Sequence, residues 1–332
     1  MDTAIVILNW NGAAMLRRYL PTLVERTRDE GAFTVVADNG STDDSLAWLS
    51  AAYPDIRTIS FDRNYGFTGG YNRALRQIDA DYYVLLNSDI EVSQGWLKPL
   101  TSFMDEHPEV GICQPKILSI DRRDSFEYAG AAGGFIDRYG YPFCRGRILS
   151  FLEKDRGQYD KPVECFWATG ACLVVRSSLY HHLGGLDETF FAHMEEIDFC
   201  WRAKLLGFQV WCVPSSVVWH LGGGTLPNNS PSKIYFNYRN NLLMLYKNLP
   251  QSIRTRRILA RRVLDAASSA VYLLSGRWRF FKAVCSAHRD YRKMKKNVEP
   301  SPCGEVLLSG YYPHSIVLKF FLNGKKLTFN KL

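Results

Sequence analysis

The sequence predicts an α/β fold, with a mostly parallel central sheet flanked by helices and a basic helical appendage near the C-terminal end. Three observations carry this. Over the first hundred residues, apolar runs of strand length alternate with helix-period stretches, which is the pattern of right-handed βαβ units in a sheet covered on both faces. These runs end in polar turns, the place where open α/β sheets bind ligands. From Ile258 onward the composition shifts to apolar residues at helical spacing with arginine and lysine between them.

The first strand is Thr3 to Leu8, followed by the turn Asn9-Trp10-Asn11-Gly12 and a helix through Leu16, Leu20, Leu23 and Val24. Phe33 to Ala37 is the second strand and ends at Asp38-Asn39-Gly40-Ser41. Ser41 or Thr42, with Asp43 and Asp44 close by, is expected to start the next helix. Ile56 to Phe61 is the third strand. A glycine-bearing loop, Asn64 to Gly70, leads into another helix, and Tyr82 to Leu86 is the fourth strand. Between Ile112 and Val175 the pattern loosens into mixed sheet and loops. Glu195 onward is helical, with Ile197, Trp201 and Leu205 on one stripe. Val210–Val213 and Ser216–Trp219 read as two further strands, with His220 and Gly222-Gly223-Gly224 after them. These elements form one domain over residues 1–248.

Residues 249–297 form the basic helical region. Leu259, Val263, Ala267, Val271, Leu274, Trp278, Phe281 and Cys285 recur at helical spacing, interleaved with arginines. A helix of this kind suits an anionic membrane surface. The plainer alternative packs the apolar stripe on the domain and leaves a solvated basic face. No nucleic-acid motif accompanies the charge, so nucleic acid is not the expected partner. Residues 298–332 form a tail with two short strands expected near Ile316–Leu322 and Lys326–Phe329.

With 332 residues and 46% hydrophobic content the chain can bury a large core. Its eight cysteines lack metal-ligand spacing and lie mostly in apolar surroundings, a pattern of reduced, buried thiols in a cytoplasmic protein. Thr3–Leu8 reads as a strand rather than part of a secretion signal, and no apolar run of about eighteen residues occurs. The expected location is cytoplasmic, peripheral on the inner face of the cell membrane.

Asn87-Ser88-Asp89 follows the fourth strand directly. If the strand geometry persists, Asn87 and Asp89 project to one side. An acid there can hold Mg²⁺ or Mn²⁺, which takes one or two protein carboxylates and shares its remaining positions with substrate phosphates. A polar turn capped by an aspartate is the plainer reading.

Several motifs in order resemble the inverting glycosyltransferases of family 2, with the GT-A fold, and most of all their rhamnosyltransferase-like branch in bacterial surface polysaccharide synthesis. They are Ile7-Leu8-Asn9-Trp10-Asn11, Asp38-Asn39-Gly40-Ser41-Thr42-Asp43, Arg63-Asn64-Tyr65-Gly66-Phe67 and Leu85-Leu86-Asn87-Ser88-Asp89. Thr169-Gly170-Ala171, the run Glu195 to Arg202, His220 and Tyr238-Arg239-Asn240 follow. The resemblance covers residues 3 to about 248.

The resemblance implies roles. Asp38 would hold the nucleotide base, or cap the following helix. Asn9 and Asn64 would contact the donor, with Gly66 and Gly69 admitting backbone close to the nucleotide. Asp89 would bind the metal, Asn87 and Ser88 would assist, and His220 would complete the metal site. Glu196 would be the catalytic base and Asp198 its support. Glu195 or Asp198 in that role, or a capped helix start, stay open, and Asp198 can simply pair with Arg202 four residues on. Trp167 and Gly170 would shape the sugar site, Trp167 by stacking on a ring or as core. Arg239 would meet the diphosphate or tie the C-terminal helices to the domain.

The function implied is transfer of a sugar from a UDP- or dTDP-sugar to a saccharide acceptor on a lipid carrier. A sugar-nucleotide nucleotidyltransferase would want a basic glycine-rich loop after the first strand, and Asn9-Trp10-Asn11-Gly12 is not one. A non-catalytic saccharide-binding subunit is the reading from a different class.

Overall fold

The computed structural model describes residues 2–222, 230–301 and 308–332. In chain order the first elements are β1 (Thr3–Asn9), α1 (Ala13–Thr27), β2 (Ala32–Asp38), α2 (Ser45–Ala52), β3 (Arg57–Ser60), α3 (Gly66–Leu75), β4 (Tyr82–Leu86), β5 (Ile90–Val92), α4 (Lys98–Glu106) and β6 (Val110–Ser119). Short strands β7 (Gly134–Asp137), β8 (Pro142–Cys144), β9 (Arg147–Ile148), β10 (Phe151–Leu152) and β11 (Val163–Glu164) precede β12 (Cys172–Arg176). Then come α5 (Ser177–His182), α6 (Glu195–Leu205), β13 (Gln209–His220), α7 (Pro231–Asn248), α8 (Gln251–Leu274), α9 (Trp278–Met294), β14 (Tyr311–Tyr312) and α10 (Ile316–Leu322).

The predicted α/β architecture is present. The main sheet runs β11-β13-β6-β12-β4-β1-β2-β3, with β5 beside β13. Strands β3, β2, β1 and β4 are mutually parallel, and β12 enters antiparallel between β4 and β6. β1 and β4 are buried almost throughout, as expected of strands with both faces covered. One core packs Val6, Tyr71 and Tyr83 on one face of the sheet, and a second packs Ile5, Leu20 and Val84 on the other.

The two strands expected at 210–213 and 216–219 are one. β13 runs through both, with a register shift between Val213 and Val217 where it pairs with β6, and such an irregularity breaks the two-residue alternation that a strand reading relies on.

The tail differs from expectation. Ile316–Leu322 is helix α10, and Phe329–Lys331 is a single 3-10 turn. The Ser315 hydroxyl caps α10 by accepting from the Leu318 amide at 3.3 Å. The tail's strand is β14, which adds to a second, five-stranded sheet beside β7. Ile316 and Phe320 then pack on Phe143 and Ile148 of that sheet.

Six cysteines are buried, and Cys285 is exposed; all seven are free thiols. Cys303, Gly223 and Gly224 lie outside the described residues. Among the described residues no helix is long and apolar enough to cross a membrane.

Candidate active site

Parallel pairing brings the ends of β1, β2 and β4 side by side, with Asn9 in register with Asp38. The Asn9 amide Nδ2 donates to Asp38 Oδ1 at 2.9 Å and to Ser41 Oγ at 3.2 Å, and the Ser41 amide donates to Asp38 Oδ2 at 2.9 Å. Asn9 therefore orients the Asp38 carboxylate. Asp38 closes its own turn rather than capping α2, which starts at Ser45 after Asp44 and not at Ser41 or Thr42. Asn64 is likewise a turn residue: its Oδ1 accepts from Asn39 Nδ2 at 3.0 Å and from the Gly66 amide at 2.8 Å.

The glycines expected to admit a nucleotide are occupied by protein. Gly66 has φ +73, and a Cβ there would meet the Phe191 ring at 2.6 Å. A Cβ on Gly69 would meet Arg73 at 3.0 Å and Tyr65 at 3.1 Å. The first amides of α3 are also taken, because Phe67 and Thr68 donate to the Phe191 carbonyl at 3.0 and 3.4 Å.

β4 ends at Leu86, and Ser88 and Asp89 form a turn into β5. Strand alternation therefore does not carry through Asn87 to Asp89. The Asn87 amide donates to the Ala171 carbonyl at 2.9 Å. Ser88 faces the first turn, since a Cβ on Gly12 would lie 3.8 Å from its Oγ.

Antiparallel pairing of β5 with β13 puts His220 opposite Ile90 and so next to Asp89. His220 Nε2 lies 3.1 Å from Asp89 Oδ1, both side chains being buried. Behind the ring, Nδ1 is 3.5 Å from Glu127 Oε2, a charge contact rather than an aligned hydrogen bond. Burial alone would lower the His220 pKa, but the Asp89 and Glu127 carboxylates outweigh it and push it up to about 10. Glu127 was not expected, for it sits in an irregular stretch with no motif around it. Among the described residues no three His, Cys, Asp or Glu side chains form a metal cage. One carboxylate and one imidazole do suit a Mg²⁺- or Mn²⁺-type ion that displaces the ring proton and fills its other positions with phosphates and water, and a carboxylate behind the imidazole is the usual orienting partner.

The third cluster opens α6. Phe191, His193 and Met194 all have positive φ, at 65, 68 and 73, a backbone region that costs non-glycine residues about 1–2 kcal/mol each. Helix α7 holds this loop. Asn240 Nδ2 lies 2.9, 2.8 and 2.7 Å from the carbonyls of Phe190, Ala192 and His193, sharing its two hydrogens among them. Arg239 Nη2 donates to the Phe190 carbonyl at 3.0 Å, and its Nε to Asn240 Oδ1 at 2.8 Å. Arg239 is thus spent inside the protein, which favours the tie over the diphosphate contact.

The strained loop delivers Glu195 into the interior and Glu196 to a half-buried position, and Oε2 of each has no hydrogen-bond partner among the described residues. Burial raises both carboxyls, Glu195 well above the usual range with the Glu196 charge adding to it, and Glu196 to about 7. Gly170 lies between Phe67 and Glu196, since a Cβ there would meet the Phe67 ring at 3.2 Å and the Glu196 Cβ at 3.7 Å. Asp198 is different. Its Oδ2 accepts from Arg202 and Lys247 at 2.8 Å each, and its Oδ1 from Asn248 at 2.7 Å. It is a structural anchor between α6 and α7. Trp167 is core, 4% exposed, with Nε1 donating to the Phe135 carbonyl at 2.8 Å, so the stacking role is set aside.

Comparison with known proteins agrees with the fold. The family model described as "Glycosyl transferase family 2" matches residues 4–184. An N-acetylglucosaminyl-diphospho-decaprenol L-rhamnosyltransferase of Mycobacterium tuberculosis is 27% identical over 65% of this chain and 75% of its own length. The dTDP-rhamnosyl transferase RfbF of Shigella flexneri is 23% identical over 73% and 82%. Among solved structures, S. aureus TarS 1-349 in complex with UDP-GlcNAc has a TM-score of 0.57 at 16% identity, covering 90% of this chain and 84% of that one. GalNAc-T7 with UDP, GalNAc and Mn²⁺ also scores 0.57, at 16% identity, over 74% of this chain and 47% of that one. These structures share the fold. With the family model spanning more than half of its length, this chain belongs to glycosyl transferase family 2.

Proposed function

We propose that the protein is an inverting, divalent-cation-dependent transferase that moves a sugar from a UDP- or dTDP-sugar to a saccharide acceptor on a lipid carrier, working at the inner membrane face. The observation that carries this is three unlike groups set around one end of the sheet. They are an oriented carboxylate at Asp38, a carboxylate–imidazole pair at Asp89 and His220, and a raised-pKa carboxyl at Glu196 whose Oε2 has no hydrogen-bond partner among the described residues. Asn9 links to Asp38, Ser88 to the Gly12 turn, and Asn87 to Ala171, whose neighbour Gly170 lies beside Glu196. Relatives named for dTDP-rhamnosyl transfer and for a decaprenol-linked acceptor support the donor and acceptor classes.

In this reading Asp38 accepts from the imide N–H of the base, with Asn9 holding it in place. Asp89 and His220 would hold Mg²⁺ or Mn²⁺, whose chemistry is to offset charge growing on the leaving diphosphate. Glu196 takes the acceptor hydroxyl proton as that oxygen attacks the anomeric carbon from the face opposite the diphosphate. Burial suits it to this task, because a raised pKa makes it a stronger base.

A screen of nucleotide sugars with Mn²⁺ by thermal shift tests the donor class. A UDP- or dTDP-sugar at 100 times its Kd is expected to stabilise the fold by about 2.7 kcal/mol. Stabilisation by GDP- or CMP-sugars alone would overturn the assignment of Asp38 to uracil or thymine.

Asn240 acts at one remove. Without it the strained loop relaxes, and a displacement of about 1 Å at the base costs about 10²-fold in rate. Asn240→Ala is expected to lower kcat by about that factor with the donor KM unchanged, as read from steady-state kinetics on a folded variant. An unchanged kcat would remove the loop clamp from the mechanism.

A further inference from the structure

Helix α8 is inside-out. Its buried residues are Ile258, Arg261, Asp265 and Ser269, and the ionic ones are tied together. Arg261 Nε donates to Asp265 Oδ1 at 2.8 Å, and Arg261 also donates to Asn241 of α7. His288 Nε2 of α9 lies 3.2 Å from Asp265 Oδ2. The apolar stripe points the other way. Leu259 is 60% exposed, Val263 and Val271 63% each, Leu274 87%, and Trp278 at the start of α9 59%. Ala266, Ala267 and Ala270 fill the spaces between them on the same exposed face. The plainer alternative, an apolar stripe packed on the domain under a solvated basic face, therefore does not hold. A soluble surface rarely leaves so continuous an apolar strip uncovered.

Charge decides what covers it. Residues 251–297 hold thirteen arginines and lysines against two acids, Asp265 and Asp290. Asp265 is fully buried and paired, and Asp290 binds Tyr235 and Arg289. A second copy of this face would bring one basic rim against another. An anionic lipid surface is complementary, and α8 is about 36 Å long at 1.5 Å per residue, enough to lie along it. Between α8 and α9 runs a groove of about 510 Å³ whose lining includes Val263, Ala266 and Val284 together with Arg262, Arg289 and Arg292. Its combination of apolar wall and guanidinium groups matches the acyl chain and phosphate of one phospholipid.

We propose that the α8–α9 hairpin is a docking surface for an anionic phospholipid bilayer, with the Leu259–Leu274 stripe inserted among the headgroups and a lipid phosphate seated by Arg262, Arg289 and Arg292. This deepens, and for its purpose rests on, the reading of a lipid-linked acceptor. The hairpin packs against α7, the helix that carries Asn240, so docking sets the catalytic domain at a fixed attitude to the bilayer.

The test uses the full chain with vesicles of phosphatidylcholine alone or mixed with phosphatidylglycerol. The wild type is expected to co-sediment with the mixed vesicles and at least about tenfold less with neutral ones, as electrostatic recruitment requires. Val263→Asp/Leu274→Asp, at two exposed positions, and Arg262→Glu/Arg292→Glu are each expected to cut binding to mixed vesicles by at least about tenfold, with unchanged melting curves. Wild-type failure to bind, or variants that bind like wild type, would overturn the proposal. So would a wild-type dimer, seen by light scattering, that Val263→Asp/Leu274→Asp splits without loss of vesicle binding. Nucleotide-sugar stabilisation measured on the same samples separates the two readings. Vesicle binding without any donor binding sinks the transferase reading and leaves the docking surface standing, and the converse leaves the transferase and removes the surface.

Discussion

Glu196→Gln is expected to lower kcat by roughly 10²–10⁴-fold, the usual worth of a general base, while metal-dependent binding of the nucleotide sugar is unchanged. Glutamine keeps the shape of the side chain but cannot take the acceptor proton. In the wild type, a base whose pKa is raised to about 7 by burial is protonated, and therefore inactive, below that value. The sign follows directly: kcat/KM rises with pH through an acid limb near neutrality, well above the ordinary glutamate range, and Glu196→Gln removes the limb. Because Glu195 adjoins it and is also raised, the limb belongs to the pair. Full transfer activity in Glu196→Gln would sink the assignment and move the chemistry to Glu195, since both Asp198 oxygens are already engaged by Arg202, Lys247 and Asn248.

Asp89→Ala is expected to lose both cation and donor. It removes the carboxylate of the pair and leaves the buried His220 facing an empty wall, so Mn²⁺ affinity should fall by more than about 100-fold. Loss of an outer partner alone costs about 10–100-fold, which is the drop expected for Glu127→Gln. Mn²⁺ titration by electron paramagnetic resonance reads both without any turnover, and thermal shift with the nucleotide reads the coupled loss. Wild-type Mn²⁺ affinity in Asp89→Ala would place the ion elsewhere. A Glu127→Gln variant with wild-type affinity would make Glu127 a packing residue. Glu196→Gln and Asp89→Ala are thus separable: one keeps the donor and loses the chemistry, the other loses both.

Local pattern was enough for the parallel half of the sheet. β4 was legible residue for residue as Tyr82–Leu86, because a run of five buried residues between polar turns admits few other structures. Asp38, Asp89, Glu196 and His220 were all visible as chemistry-bearing residues in ordered motifs. The assignments that needed correction were those in which a side chain's partner lies far along the chain. Trp167 is core because of Phe135, Arg239 is consumed by the 189–190 carbonyls, and Gly66 makes room for Phe191 rather than for a nucleotide. The tail was misread because Ile316–Leu322 has no neighbours in sequence to reveal the second sheet on which it packs as a helix.

Composition and periodicity thus determined that this chain builds an α/β domain with carboxylates at its strand ends, followed by an amphipathic basic helix. Which of these side chains meet was decided only by tertiary pairing. Asp89 and His220 are 131 residues apart, and β5 against β13 brings them to 3.1 Å, with Glu127 closing behind them. The direction of α8's apolar face was also decided there. A helical period says that one face is apolar, but it is unchanged by rotation of the helix about its axis. The buried Arg261–Asp265–His288 network fixes that rotation, and it turns the apolar face outward.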